Sequence, residues 1–330
     1  MKVLLFGGAG YIGTHVALEF LQRGDDVGIF DNFSSGLRSN VDNRATLYEG
    51  DIRNKDEVVK ALEDGWDTII HLAAFKAAGE SMVSPIKYSE NNITGSLNLI
   101  TAAIETGVKN FILSSSAAVY GEPQYLPVDE QHPTKPTNYY GYTKLAIEEN
   151  LAWYSELKKL NYVSLRYFNA AGYDPEMRML GLEKNPANLI PVVMEVAAGI
   201  RPNMLVFGTD YDTHDGTGVR DYVHVTDLAR GHVLAADYLA AEKGNLVVNL
   251  GSEAGLSVGE IIETARSITG REINVEYVGR RPGDPAKLVA SSKRAYKTLG
   301  WKAEYSSVDS IIETTWRVYE AQGSNLIPKP

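Results

Sequence analysis

The chain has 330 residues, 44% of them hydrophobic and 22% charged, with a formal charge of −10. These are globular proportions, enough for one large domain or two modest ones, and the negative balance argues against general nucleic-acid binding while allowing a local basic pocket. There is no cysteine, and the six histidines are scattered without a His-Glu-x-x-His pattern, so disulfides, thiol catalysis and Cys-ligated zinc are excluded and no metal is expected.

No apolar run is long enough to cross a bilayer. Met1-Lys2 leads straight into a short apolar segment and a glycine turn, without the longer apolar region and cleavage site of a signal peptide. With no thiols to protect, the expected compartment is a reducing cytoplasm.

The first predicted element is a buried strand, Val3 to Phe6, and apolar on every residue as parallel strands are. Gly7, Gly10 and Gly13 follow as Gly-x-x-Gly-x-x-Gly, and an amphipathic helix over Thr14 to Arg23 comes next. Glycines between a strand and a helix let backbone N–H groups approach a pyrophosphate at the helix N-terminus. A second strand, Val27 to Phe30, ends at Asp31-Asn32. An acid there accepts hydrogen bonds from an adenosine ribose and repels a 2′-phosphate, favouring NAD over NADP. The alternative is a simple turn-former. Gly50-Asp51-Ile52 could meet an adenine, or Asp51 could cap the next helix.

A strand over Thr68 to His71, a helix over Asn92 to Glu105 and a strand over Phe111 to Ser114 continue the alternation. Ser116 then follows a strand end, where such sheets place reactive groups; its hydroxyl could relay a proton or only cap a helix. Tyr140 and Lys144 are four apart, on one face of a predicted helix. Ile147, Leu151 and Tyr154 continue its packed side. A phenol is a poor base near neutral pH, and a nearby ammonium favours the phenolate. Alone, the pair could be a surface feature. With the glycine turn and the serine it points to proton and hydride transfer at a hydroxyl carbon.

After the strand Tyr162 to Leu165 the texture changes. Residues 171–188 read as loop, Leu189 to Gly199 as helix, and Leu246 to Leu250 as a strand rejoining the first sheet. From Ser257 short helices and strands are expected, with no repeat or flexible linker. The fold class is α/β: a Rossmann-type doubly wound parallel sheet with a smaller mixed α/β C-terminal lobe. Residues 1–170 form the dinucleotide-binding domain, with 220–250 returning to it, and 171–330 form the substrate lobe.

The ordered motifs resemble the extended short-chain dehydrogenase/reductase family, in its NAD(P)-dependent epimerase/dehydratase branch. They are Gly-Gly-Ala-Gly-Tyr-Ile-Gly at 7–13, His-Leu-Ala-Ala-Phe-Lys-Ala-Ala-Gly-Glu-Ser at 71–81 and Ser-Ser-Ser-Ala-Ala-Val-Tyr-Gly at 114–121. Arg-Tyr-Phe-Asn-Ala-Ala-Gly at 166–172, Asp-Gly-Thr-Gly-Val-Arg-Asp-Tyr-Val-His-Val at 215–225 and Arg-Arg-Pro-Gly-Asp at 280–284 complete them. The likeness covers essentially the whole chain and is greatest to the family's UDP-hexose 4-epimerases. It implies a tightly bound NAD that takes and returns the C4 hydride of UDP-glucose or UDP-galactose through a 4-keto sugar. Ser116, Tyr140 and Lys144 would be catalytic. Tyr11, Ile12, Ala73, Lys76, Asn92 and Tyr167 would join Gly7, Gly10, Gly13, Asp31, Asn32, Asp51 and Ile52 around NAD, as would Tyr140 and Lys144.

The substrate would meet Lys76, Ser116, Tyr140, Phe168, Asn169, Asn188, Leu189, Leu205, Phe207, Arg220, Arg281, Asp284 and Leu288. Guanidinium groups suit diphosphate oxygens. Unaided, Arg220 could equally pair with Asp221 or Asp227, Arg281 with Asp284, and Lys76 could be a solvated loop lysine. Related 4,6-dehydratases carry Thr-Asp-Glu at the catalytic serine, whereas Ser116 here precedes Ala117-Ala118, which have no acid for eliminating water. Leu288 falls where a large aromatic restricts such enzymes to plain hexoses and a small residue admits N-acetyl sugars; it is neither. A homodimer through paired helices, one carrying Tyr140, is also implied. The rival readings are another UDP-sugar 4-epimerase, acting on N-acetylhexosamine, pentose or uronate, and a non-catalytic NAD-binding regulator.

Overall fold

The structure, a computed structural model, describes residues 1–183, 186–281 and 284–322. Of the residues discussed above, 184–185 of the loop, 282–283 of the double-arginine motif and the last eight of the C-terminal lobe lie outside these ranges.

In chain order the first half forms β1 (Lys2–Phe6), α1 (Tyr11–Arg23), β2 (Asp26–Asp31), β3 (Thr46–Glu49), α2 (Lys55–Leu62), β4 (Thr68–His71), α3 (Ala78–Val83), α4 (Pro85–Tyr88), α5 (Gly95–Thr106), β5 (Asn110–Ser116), α6 (Tyr139–Lys158) and β6 (Asn161–Tyr167). The second half forms β7 (Asn169–Ala171), α7 (Leu189–Ala197), β8 (Met204–Phe207), β9 (Val219–Arg220), β10 (Tyr222–His224), α8 (Val225–Ala240), β11 (Leu246–Leu250), β12 (Leu256–Ser257), α9 (Val258–Thr269), β13 (Val275–Val278), β14 (Lys287–Leu288), α10 (Lys293–Leu299) and α11 (Val308–Gln322).

Seven strands form one parallel sheet in the order β11-β6-β5-β4-β1-β2-β3. Its inner strands are largely buried on both sides because both sides are covered, while the edge strand β3 is mostly exposed. Val16 and Phe20 of α1 pack with Leu228 and Ala235 of α8 on one face. On the other, Val58 and Leu62 of α2, Leu99 and Ala103 of α5, and Ile147 and Leu151 of α6 pack against Phe6 and Phe111. Strand order reverses between β1 and β4, which opens a crevice at the carboxyl ends of these strands.

The remaining elements gather beside that crevice. Ile190 and Val193 of α7, Ile261 and Ile262 of α9, and Ile312 and Trp316 of α11 share a core with Met204 and Val206 of β8. β8 pairs with β13, and β9 pairs with both β12 and β14.

Three expectations need correction. α1 begins at Tyr11, because extended Gly10 takes the capping position ahead of Thr14. The stretch over Asn92 to Glu105 belongs to a helical run from Pro85 to Thr106, with a π-helical segment at Ser89–Thr94 between α4 and α5. The tail is more regular than expected, since α9 and α11 have 12 and 15 residues and bury a continuous apolar face.

Candidate active site

The glycine turn is as tight as the spacing predicts. Gly7 has φ +85°, and a Cβ there would lie 2.6 Å from the Ala73 nitrogen. A Cβ on Gly13 would meet the Gly7 carbonyl oxygen at 2.3 Å. With no side chains in the way, the first turn of α1 opens onto a cleft of about 430 Å³. Gly10, the N-cap, makes no side-chain cap, and no acid occupies the first turn. This end of α1 therefore suits a pyrophosphate.

Gly7, Gly10, Tyr11, Ile12, Gly13, Asp31, Asn32, Ile52, Ala73, Lys76, Tyr167 and Asn188 line the cleft. So do Ser34, Ser35, Phe75, Asn91 and Glu183, which sequence reasoning missed. Ser34-Ser35 directly after the Asp31 strand end was the available signal for the first two. Glu183 gave none. Its carboxylate meets the Lys76 ammonium across the cleft, so Lys76 is not a free loop lysine.

Asp31 is fixed by two backbone donors, Ala9 N–H at 2.9 Å and Phe33 N–H at 2.8 Å. Burial pushes its carboxyl upward, and these donors oppose the shift. Asp51 does not cap α2; Asn54 does, accepting from Asp56 N–H. Asp51 instead accepts from Arg53 and from Asn32 Nδ2, and Arg53 above all holds it well below the usual carboxylate range. Asn92, expected near the nicotinamide end of NAD, is not among the residues that line the cleft. It is fully buried, accepting from Phe75 N–H and donating to Phe75 O, both at 2.9 Å, and to Thr143 at 3.2 Å. It clamps the loop that forms the cleft wall.

Ser116, Tyr140 and Lys144 come together beside the cleft, although they are not among its lining residues. Ser116 ends β5 directly opposite Tyr167, which does line it. Asn138 caps α6 by accepting from Gly141 N–H, and this fixes the helix start at the two tyrosines. Tyr140 lies close enough to Ser116 for that hydroxyl to draw its proton affinity down, but burial outweighs this and pushes the phenol up. The expected acidification by Lys144 is thus not a property of the protein groups alone. Lys144 is itself buried, donates to Ser114 O at 2.8 Å, and is lowered by desolvation to about 8. Ser116 also accepts from Ala118 N–H at 3.2 Å, so it caps a short turn as well as facing Tyr140.

A third group lies in the C-terminal lobe. Arg220 pairs with Asp284, not with Asp221 or Asp227. Arg281 is not the Asp284 partner either; its guanidinium lies over the Phe207 ring at 3.7 Å. Leu205, on the same strand, is exposed. Leu288 stands beside Arg220 in the β9–β14 pairing and packs with Phe168 against Ala117, Val119 and Tyr120. Asn169 donates from backbone and side chain to Asp221 O, at 3.1 and 3.0 Å. Asn188 and Leu189 stand at the start of α7, whose N-cap is Asn188.

The sequence profile of the NAD dependent epimerase/dehydratase family matches residues 3–251. The chain belongs to this family. A UDP-glucose 4-epimerase of Lacticaseibacillus casei is 44% identical to this epimerase/dehydratase family member over 322 residues, covering 97% of each chain. The crystal structure of the Brucella ovis UDP-glucose 4-epimerase in complex with NAD superposes with a TM-score of 0.94 at 42% identity, covering 96% of this chain and 98% of that one. The Bifidobacterium longum enzyme, in complex with NAD+ and UDP, superposes with a TM-score of 0.92 at 38% identity, covering 99% and 100%.

Proposed function

We propose that this chain is a UDP-hexose 4-epimerase that keeps NAD bound while it interconverts UDP-glucose and UDP-galactose. One observation carries the reading. The Tyr-x-x-x-Lys face of α6 packs over β5 and β6 and stands beside a cleft whose walls are the glycine turn, Asp31 and Tyr167.

Bound NAD supplies the acceptor and donor of the C4 hydride, with a 4-keto sugar between the two epimers. Tyr140 takes the proton from the 4-hydroxyl and returns it to the same oxygen, the inversion at C4 coming from return of the hydride to the opposite face of the sugar. Ser116 hydrogen-bonds the same oxygen. The Lys144 ammonium, together with the positive nicotinamide, favours the phenolate that burial alone disfavours. Asp284 holds the Arg220 guanidinium in place, so its remaining N–H groups are aimed before a diphosphate arrives, and Arg281 supplies a second cation. In this assignment residues 1–170, with 220–250, hold NAD, and 171–330 hold the UDP-sugar. No described helix is long and apolar enough to cross a membrane, which suits a cytoplasmic site of action.

The enzyme acts as a homodimer in this reading. Tyr142, Trp153 and Leu157 of α6 are 49%, 63% and 67% exposed at spacings that place them on one face. α3 and α4, beside α6, expose Met82, Val83 and Ile86. A second copy covering this apolar surface would remove it from water. The test of function is incubation of purified protein with UDP-galactose and no added cofactor. UDP-glucose should form; no product, even after saturation with NAD, would refute the reading.

A further inference from the structure

α6 carries a third polar group on the stripe that starts at Tyr140. Glu148 stands one turn beyond Lys144, as Lys144 stands one turn beyond Tyr140. Glu148 is 6% exposed and fully engaged. Ser115 Oγ donates to its Oε1 at 2.5 Å, Arg166 Nε donates to its two oxygens at 3.0 and 3.1 Å, and a terminal guanidinium nitrogen donates to Oε2 at 2.5 Å. Ser115 and Arg166 are direct neighbours across β5 and β6, so the carboxylate is seated on one cross-strand pair. Arg166 also donates to Tyr120 Oη at 3.1 Å, and Tyr120 donates to Asn249 of β11 at 2.6 Å. These contacts join α6 to three adjacent strands.

A buried ion pair is a costly means of attaching a helix, since apolar side chains of the same volume often hold one as well. Its placement accounts for more than attachment. Lys144 is held on Ser114 O, one residue before Ser115. Burial favours loss of its proton, and the Glu148 charge opposes that loss. The other groups facing it give no such help. His71 of β4 is buried and kept neutral by desolvation and by the Lys144 charge. Tyr140 and Tyr167 are phenols that burial keeps protonated, and Arg166 is a cation.

We propose that Glu148, seated by Arg166 and Ser115, is a positioning residue of the epimerisation site: it keeps Lys144 charged and sets α6 in the axial register that places Tyr140 beside Ser116. This rests on the function proposed above. The test is Glu148→Gln in the full-length, NAD-saturated protein, with kcat and KM for UDP-galactose followed from neutral to alkaline pH. Without the anion, Lys144 releases its proton at lower pH. The alkaline limb of kcat should move down by about one pH unit, a roughly tenfold fall in kcat along that limb, with KM little changed. Glu148→Asp, which keeps the charge, should move the limb back toward wild type. Because the single variant leaves Arg166 buried without its counter-charge, folding can fail. Glu148→Leu/Arg166→Leu removes both charges and should fold; because the repulsion from Arg166 goes with the attraction from Glu148, its limb should move less than that of Glu148→Gln, while loss of the helix seat should still lower kcat. A wild-type limb and kcat in either folded variant, with only a lower Tm, would overturn the proposal. An inactive wild type in the same assay would instead overturn the proposed function, and this inference with it.

Discussion

Gly13→Ala is the substitution whose effect the geometry specifies most closely. The new Cβ would lie 2.3 Å from Gly7 O and 2.7 Å from Gly8 Cα, where ordinary contact begins at 3.4 Å. Both neighbours are backbone, so neither can swing aside. The first turn of α1 must move away from the β1 loop by roughly 1 Å, at a cost of about 1–3 kcal/mol for overpacking. That movement opens the nest of N–H groups on which a pyrophosphate would lie. A loss of about 1.4 kcal/mol in binding is already tenfold in affinity. The variant should therefore purify with much less NAD than wild type, measured by releasing and quantifying the nucleotide after denaturation. Gly24→Ala is the matched control. A Cβ there meets nothing within 4 Å, but φ is +87°, so the variant should lose roughly 1 kcal/mol of stability and keep its NAD. Wild-type NAD content in Gly13→Ala would refute the assignment of this turn to the cofactor.

Tyr140→Phe should bind UDP-galactose and retain NAD yet lose about 10²–10⁴-fold in kcat; unchanged turnover would remove the assigned base. Leu288→Tyr should lower turnover of UDP-GlcNAc relative to UDP-galactose, and equal ratios for the two proteins would show that this position does not select the sugar. His15, His224 and His232 are buried, and desolvation lowers them to about 4, about 3 and about 4. Their folded values lie below the unfolded one, so the stability they contribute is present above about pH 6.5 and is lost as pH falls toward 4 and below, by about 1.4 kcal/mol per residue per unit. Thermal melts should show Tm falling through that window, and His15→Gln/His224→Gln should flatten the fall; a pH-independent Tm would contradict the assignment. Trp153→Glu should shift the mass measured by light scattering from dimer to monomer, and an unchanged mass would place the interface elsewhere.

Much of the sheet was legible because its signals are local. Val3 to Phe6 is apolar on every residue, and Thr68 to His71 and Leu246 to Leu250 are built around the apolar runs Ile69-Ile70 and Leu246 to Val248, the pattern of strands covered on both faces. Gly7 and Gly13 could be read from their setting between a strand and a helix. Tyr140 and Lys144 share a face through helical spacing alone. What could not be read depends on partners distant in sequence. The Asn92 carboxamide is consumed by the backbone of Phe75, and Glu183 reaches Lys76 across the cleft. Arg220 prefers Asp284 to its sequence neighbour Asp221, because Asp221 is buried and already accepts from Ser252, Glu253 and Ala290. The helices α9 and α11 were underestimated because their apolar faces gain meaning only against α7 and β8. Glu148, by contrast, stood one turn beyond Lys144 and could have been singled out, though its buried partner Arg166 could not.

The central claim is that a captive cofactor takes a hydride from C4 and gives the same hydride back. UDP-galactose carrying deuterium at C4, incubated with purified protein in the presence of excess free NAD, tests it directly. The account predicts UDP-glucose that retains the label at C4, with none in the free nicotinamide pool or in water. Deuterium lost to solvent or captured by the added NAD would contradict it.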